Sequence, residues 1–378
     1  MFRFRFVPPL LALALAGAVI LVPTSGTPAR AAEIAPKPED LKASLDKAHD
    51  FLKSKQGDDG SFLPKFGPGV TALVAAALVK AGYPADDAVV AKAIKYVEGF
   101  VQKDGGVYSK GLENYTTALA VVAFKECNAD GKYDKVIAAA VKYVKGVQDA
   151  NGADDKELKF GGAGYDGKSR PDTSNTGFFI EALIAAGAGK DDPALKKALT
   201  FLSRAQNLSG EYNDQPFAKK TSDDDKGGFV YNPFDQDKDK SEKKTDVGGL
   251  RSEGGMTYTG LKSFLYAGVG KDDERVKAAL AWVKRHYTLT ENPGNGKAGL
   301  FYYYHTFAKA MDALGEENFA DSKGVKHEWR KDLLAALKKR QNPKTGSFVG
   351  GAKNDSFGEG DPNLATAFAL LSLSYTKK

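Results

Sequence analysis

Between Ser174 and Gly187 the chain reads SNTGFFIEALIAAG, and Glu181 is its only charge. Phe178, Phe179, Ala182, Leu183 and Ala186 recur at helical spacing, with Pro171, Asp172 and Ser174 ahead as start signals and Gly187 as the stop. A helix apolar on all sides is buried on most of them, unlike a surface helix with one apolar stripe. Five more segments share this character, each preceded by a Lys-rich amphipathic helix and a Gly-rich loop. The pattern predicts six pairs of helices, at 41–56 with 69–82, 86–102 with 113–128, 133–148 with 172–187, 192–206 with 253–268, 273–287 with 301–315, and 328–341 with 362–375.

The punctuation repeats as well. Ala81-Gly82, Ala186-Gly187 and Ala267-Gly268 each end an apolar helix, and an Asp-Asp pair follows to cap the next amphipathic helix. Gln56, Gln102, Gln148, Gln206 and Gln341 close amphipathic helices. Four of them lead into Gly-x-aromatic, at Gly60-Ser61-Phe62, Gly106-Val107-Tyr108, Gly210-Glu211-Tyr212 and Gly346-Ser347-Phe348. Self-similar units of this kind stack into a helical array with charged helices outside and apolar ones inside. A Lys/Asp-rich stretch at about 207–254 interrupts the fourth pair; its alternating charges and glycines predict an irregular insert without a core.

The glutamine-glycine-aromatic endings resemble degenerate forms of the Q-x-x-x-G-x-W repeat of squalene and terpene cyclases. Asp172 through Ala182 and Gly255-Met256-Thr257-Tyr258-Thr259-Gly260-Leu261 are similar to the prenyltransferase/squalene-oxidase repeat. The resemblance implies an all-α fold, an (α/α)6 toroid of six hairpins with inner and outer rings and Gly-rich loops carrying short β-turn elements. It also implies a central pocket where the inner helices start. On that basis the candidate ligand-binding residues are Glu113, Tyr115, Asp172, Ser174, Asn175, Tyr258, Tyr304 and His305, and the candidate acids or bases are Asp172, Glu253, Asp361 and His305. Several of these are also the residue types that cap helices.

Squalene-type cyclases carry an acid motif, D-x-D-D-T, whose middle Asp protonates an alkene or epoxide. The corresponding helix start here reads Asp172-Thr173-Ser174-Asn175-Thr176, with Ser174 at the donor position. A serine hydroxyl is far too weak an acid for that step. Protein prenyltransferases of this architecture hold zinc with Asp, Cys and His, but Cys127 falls at the far end of its inner helix and the four histidines show no paired spacing. No metal site and no cofactor are expected. Gly162–Ser169 matches a phosphate-loop pattern without the strand and helix it needs, and Asp235–Asp239 opens like a calcium loop but has Lys240 where glycine belongs.

Composition adds the address. Arg3 and Arg5 precede an apolar run from Leu10 to Val22 and then Ala29-Arg30-Ala31, which predicts a secretory leader over 1–31 cleaved near Ala31/Ala32, a linker over 32–40 and one toroid domain over 41–378. The run is too short to span a bilayer. Removing 1–31 changes 54 basic against 48 acidic residues to 51 against 48, a net charge of +3, which gives no reason to expect nucleic acid. A secreted or periplasmic protein is expected, binding a hydrophobic, isoprenoid-like ligand or a protein partner in its pocket. Two alternatives stay open: a terpene cyclase or mutase with a displaced acid such as Glu253 or Asp361, and an (α/α)6 carbohydrate-processing enzyme using Glu113, Asp172, Glu253 and Asp361. If the protein is an enzyme, the resemblance favours the cyclase/mutase class.

Overall fold

The computed structural model describes residues 38–109, 111–150, 154–238, 241–352 and 357–377. The expected leader and most of the linker lie outside them, and residues 38–40 open the first helix. Six hairpins follow in order: α1 (Pro38–Lys55) with α2 (Gly69–Lys80), α3 (Ala88–Glu98) with α4 (Glu113–Glu126), and α5 (Asp134–Ala150) with α6 (Thr173–Ala185). Then come α7 (Pro193–Arg204) with α9 (Gly254–Tyr266), separated by a single-turn α8 (Pro216–Lys219), α10 (Glu274–Arg285) with α11 (Leu300–Leu314), and α12 (Trp329–Arg340) with α13 (Pro362–Ser374). A two-stranded antiparallel ribbon, β1 (Asn318–Ala320) and β2 (Lys326–Glu328), precedes α12.

The apolar helices form the inner ring. Each of α2, α4, α6, α9, α11 and α13 packs on the next, and α13 packs back on α2, so the array closes. Small residues set the close approaches: a Cβ added at Gly177 on α6 would stand 2.3 Å from Thr259 Cγ2 on α9. The amphipathic helices bury one face against this ring, as α3 does with Val89, Val90, Ala93, Ile94 and Val97. Of each Asp-Asp pair it is the second member, Asp87, Asp192 or Asp273, whose carboxylate accepts the first free N–H groups of the outer helix.

Neighbouring hairpins are joined by one recurring device. The glutamine that ends an outer helix donates its amide hydrogens to a glycine carbonyl of its own loop and to a carbonyl near the start of the next outer helix. Gln56 reaches Gly60 O and Val89 O, Gln148 reaches Gly161 O and Ala194 O, and Gln206 reaches Gly227 O and Arg275 O. The loop glycine has positive φ and lies flat on the neighbour: at Gly161 (φ +74) a Cβ would stand 2.0 Å from Lys197 O. Gln341 makes the same pair of bonds to Gly346 O and Ser44 O, so the last hairpin grips the first as the first, third and fourth grip their successors. Gln102 is the exception, bonding Phe100 O and Tyr108 O within its own loop. An inner-helix threonine then takes the N–H two residues after each glycine: Thr71 from Phe62, Thr117 from Val107, Thr176 from Ala163, Thr257 from Phe229 and Thr366 from Phe348.

This register corrects two of the expected motifs. The joint in the second unit is Gly105-Gly106-Val107, and in the fourth it is Gly227-Gly228-Phe229. Tyr212 of the expected Gly210-Glu211-Tyr212 instead lies on the surface under the Arg275 guanidinium, 4.0 Å from its ring centre. The expectation of a coreless insert is also corrected. Phe217, Ala218, Val230 and Leu250 pack with Ala205 into a second small core, and buried Asp225 accepts the Ser252 N–H at 2.7 Å. These apolar residues are scattered through polar turns, so no local period announces them.

Because Gln206 is fully buried, truncating it removes the donor of the buried Gly227 carbonyl and of the part-buried Arg275 carbonyl. Gln206→Ala is expected to lower unfolding free energy by about 2 kcal/mol, read as a shift of the urea midpoint at unchanged slope. Gln341→Ala should cost a similar amount although its partner Ser44 lies in the first helix.

Candidate functional site

The first turns of the inner helices surround a cavity of about 560 Å³. Gly69 and Val70 come from α2, Tyr115 from α4, Ser174, Asn175 and Phe178 from α6, Tyr302 from α11, and Leu364 and Phe368 from α13. Glu253 and Asp361 sit at the caps of α9 and α13, and the loops add Phe66, Tyr165, Tyr231, Glu242, Lys243 and Phe357. Eight of the lining residues are aromatic. Tyr115 meets Phe178 edge-on at 5.1 Å, and Tyr302 stands edge-on to Phe368 at 5.7 Å, so the rings brace one another.

The positive ends of these helices are largely answered from within. Asp172 caps α6, Asp361 caps α13, Glu253 stands at the cap of α9, Glu113 lies in the first turn of α4, and Glu359 accepts the Tyr302 N–H of α11 at 2.7 Å. Glu253 is buried, with Lys243 at 2.8 Å and Asn295 at 2.6 Å on its two oxygens. Asp172 is buried behind Asn175, accepting that residue's backbone N–H at 2.8 Å and its side-chain Nδ2 at 2.7 Å. Burial pushes the Asp172 carboxyl up to about 6 against the pull of the Asn175 bonds, and a Tyr231 hydroxyl bond pulls the same way as Asn175. Ser174, at the position of the proton donor in the cyclase motif, donates to the Tyr302 hydroxyl at 3.0 Å.

Of the residues singled out from sequence, the structure brings Tyr115, Ser174, Asn175, Glu253 and Asp361 to the cavity wall. It places Asp172 one layer behind, and Glu113 near Tyr108 and Tyr143. Tyr258 turns away to pack on Tyr303 and Phe307, and Tyr304 sends its hydroxyl to Leu289 O. In α11, with apolar and aromatic side chains all round, the period does not say which tyrosine faces inward; it is Tyr302. Tyr165, Tyr231 and Phe357 come from loops that carry no periodic signal.

His305 lies deeper, past Phe178, beside a void of about 20 Å³. There Glu181 of α6 is gripped by Lys262 of α9 and Lys309 of α11, all three buried on the inner ring. Burial alone would raise the Glu181 carboxyl, but the two ammonium groups outweigh it and hold it well below the usual range. Burial, with Glu181 opposing, brings Lys309 down to about 8, and burial together with Lys309 keeps the His305 imidazole neutral. Lys80 and Glu126 pair at 2.6 Å at the C-terminal ends of α2 and α4. Lys80, Glu181 and Lys309 thus line this void together with His305. Cys127, at the C-terminal end of α4, has its thiol pushed up to about 11 by burial. Among the described residues no three His, Cys, Asp or Glu side chains converge as a metal site, and no helix is long and apolar enough to cross a membrane.

Residues 62–223 match the family model of the squalene-hopene cyclase C-terminal domain. With the closed double ring, that match shows a squalene-cyclase-like α/α toroid. Among solved structures, the GH76A α-1,6-mannanase of Salegentibacter sp. HEL1_6 is similar at 14% identity and a TM-score of 0.55, over 90% of this chain and 98% of its own. An inactive variant of it in complex with α-1,6-mannotriose gives 13% identity and a TM-score of 0.56, with the same coverage. The type II terpene cyclase MstE from Scytonema matches at 14% identity and a TM-score of 0.36, over 90% of this chain and 98% of its own. At such identities the mannanase likeness establishes the fold alone. No curated protein matches the sequence.

Two outcomes are expected from the buried charges. Glu181→Gln leaves two buried ammonium groups without a counter-charge and should cost about 3–5 kcal/mol, whereas Glu181→Leu/Lys262→Met/Lys309→Met should melt at or above the wild-type temperature. For Asp172, whose folded carboxyl holds its proton to about pH 6, the stabilising contribution is complete below the unfolded value of 3.8 and lost as pH rises through 6. The stability of wild type relative to Asp172→Asn should therefore fall between about pH 4 and pH 6, by up to about 3 kcal/mol, in paired denaturation curves.

Proposed function

We propose that the protein holds a hydrophobic, isoprenoid-like ligand in the aromatic cavity and does not carry out the protonation chemistry of the cyclases it resembles. The observation that carries this reading is the cavity itself, which has the volume of a small-molecule site and eight aromatic rings on its wall. The absence of a suitable acid supports the second half. Ser174 occupies the donor position, Glu253 is ion-paired, and Asp361 is engaged as a helix cap by the Asn363 N–H at 2.8 Å. Asp172, whose carboxyl holds its proton more tightly than usual, does not line the cavity. A carbohydrate reading draws on the carboxylates Glu253, Asp361 and Glu242 at the wall, but Lys243 neutralises the first and apolar rings dominate the rest.

Native mass spectrometry of the protein exported from cells tests the reading. A retained apolar mass is expected in wild type and should be lost in Val70→Trp, which fills the cavity from the first turn of α2. The same intact mass reads whether residues 1–31 have been removed, as export through the N-terminal leader requires. Wild type should give no cyclised product from squalene-like polyenes above the buffer rate. Product that disappears in Glu253→Gln or Asp361→Asn would instead establish a displaced-acid cyclase, and cleavage of α-1,6-mannotriose would establish the carbohydrate reading.

A further inference from the structure

The hydroxyl groups around the cavity are ordered by where their protons go. Thr259 Oγ1 donates to Gly255 O at 2.8 Å. Its remaining contact, to the Tyr302 hydroxyl at 3.1 Å, therefore has tyrosine as donor. Ser174 donates to that same tyrosine oxygen. The chain Ser174 to Tyr302 to Thr259 to Gly255 thus uses every O–H it contains, and Ser174 Oγ keeps only lone pairs. The Tyr165 and Tyr231 hydroxyls meet on the same wall at 3.3 Å.

Asn175 extends the pattern. A carboxylate only accepts, so the Asn175 amide turns its Nδ2 to Asp172, which leaves Oδ1 as the amide atom without a partner. Asn175 lines the cavity, is 1% exposed, and its Oδ1 has no hydrogen-bond partner. A buried acceptor left unpaired costs free energy that a matching donor recovers. Charge points the same way. Glu242, Glu253 and Asp361 face one ammonium, Lys243, leaving the lining at a formal net charge of −2. Lys243 is already ion-paired with Glu253 and donates to Asn295 Oδ1. An anionic head would meet the Ser174 lone pairs and the carboxylates of the lining.

Resting on the ligand-binding reading above, we infer that the cavity selects an apolar molecule whose head group donates hydrogen bonds, an alcohol or a protonated amine, which Asn175 Oδ1 and Ser174 Oγ receive, and that it rejects the corresponding acid. The aromatic wall reinforces the choice, since ring faces attract a cation and not an anion.

The test is a series sharing one fourteen-carbon saturated chain, as the hydrocarbon, the alcohol, the amine and the carboxylate, each displacing neutral Nile red from the exported protein at pH 8. Alcohol and amine should bind at least tenfold more tightly than carboxylate. In Asn175→Leu, matched for size, that preference should fall below threefold; Ser174→Ala should reduce it in the same direction and stands in if Asn175→Leu does not fold. Carboxylate binding as tight as alcohol, or an undiminished preference in both variants, overturns the inference while leaving the ligand-binding reading in place. If no member of the series displaces the probe while the protein is folded, the ligand-binding reading fails and takes this inference with it.

Discussion

The joint between hairpins is the contact on which the rest of the structure rests. A primary amide has two hydrogens, and the repeat glutamine uses one inside its own unit and one in the next. The companion glycine lets the loop lie against the neighbouring backbone at a distance no side chain permits. Where the bonds are fully buried, as both of Gln148 and the Gln206 bond to Gly227 O are, the amide is worth more as a connector than an exposed one would be. The joint recurs at four of the six seams, and the packing of α13 on α2 completes the ring. Gln341 holding Ser44 shows that the first and last units meet in the same geometry as internal ones.

Closure explains what the inner helices can and cannot carry. Each is covered by two ring neighbours and by the outer layer, so charge is admitted only in compensated groups. Glu181, Lys262 and Lys309 make one such group, on three different helices, and their mutual attraction fixes how α6, α9 and α11 stand against each other in height. What remains open is the N-terminal end, where the residues that start the helices also form a wall.

That wall does two jobs with one set of side chains. Carboxylates at helix starts satisfy free N–H groups and offset the helix dipoles, and in doing so they take up the positions from which a strong acid or an anion-binding site would be made. Asp172 illustrates the trade. Its capping bonds and its burial keep it behind the wall, while its grip on Asn175 Nδ2 decides which face of that amide the cavity sees.

Much of this was legible in the residues. The helix pairs, their order and the apolar character of the inner ones follow from period and composition, because helix burial writes itself into local spacing. Tyr115, Ser174, Asn175, Glu253 and Asp361 were reachable from position alone, lying near helix starts that stop and start signals locate. Glu181 and Lys80 could be marked as single charges in apolar helices, but not paired, since pairing crosses from one unit to another. Tertiary structure alone decided that the array closes, that Tyr302 and not Tyr304 faces inward, and that Phe217, Val230 and Leu250 form a core inside a polar insert. It also decided the direction of the bonds that link Ser174, Tyr302 and Thr259. Local sequence specifies which surface of a helix is apolar; only the packing of six such helices around a common axis specifies which of their equally apolar faces meets the cavity, and so which atoms are left there to receive a ligand.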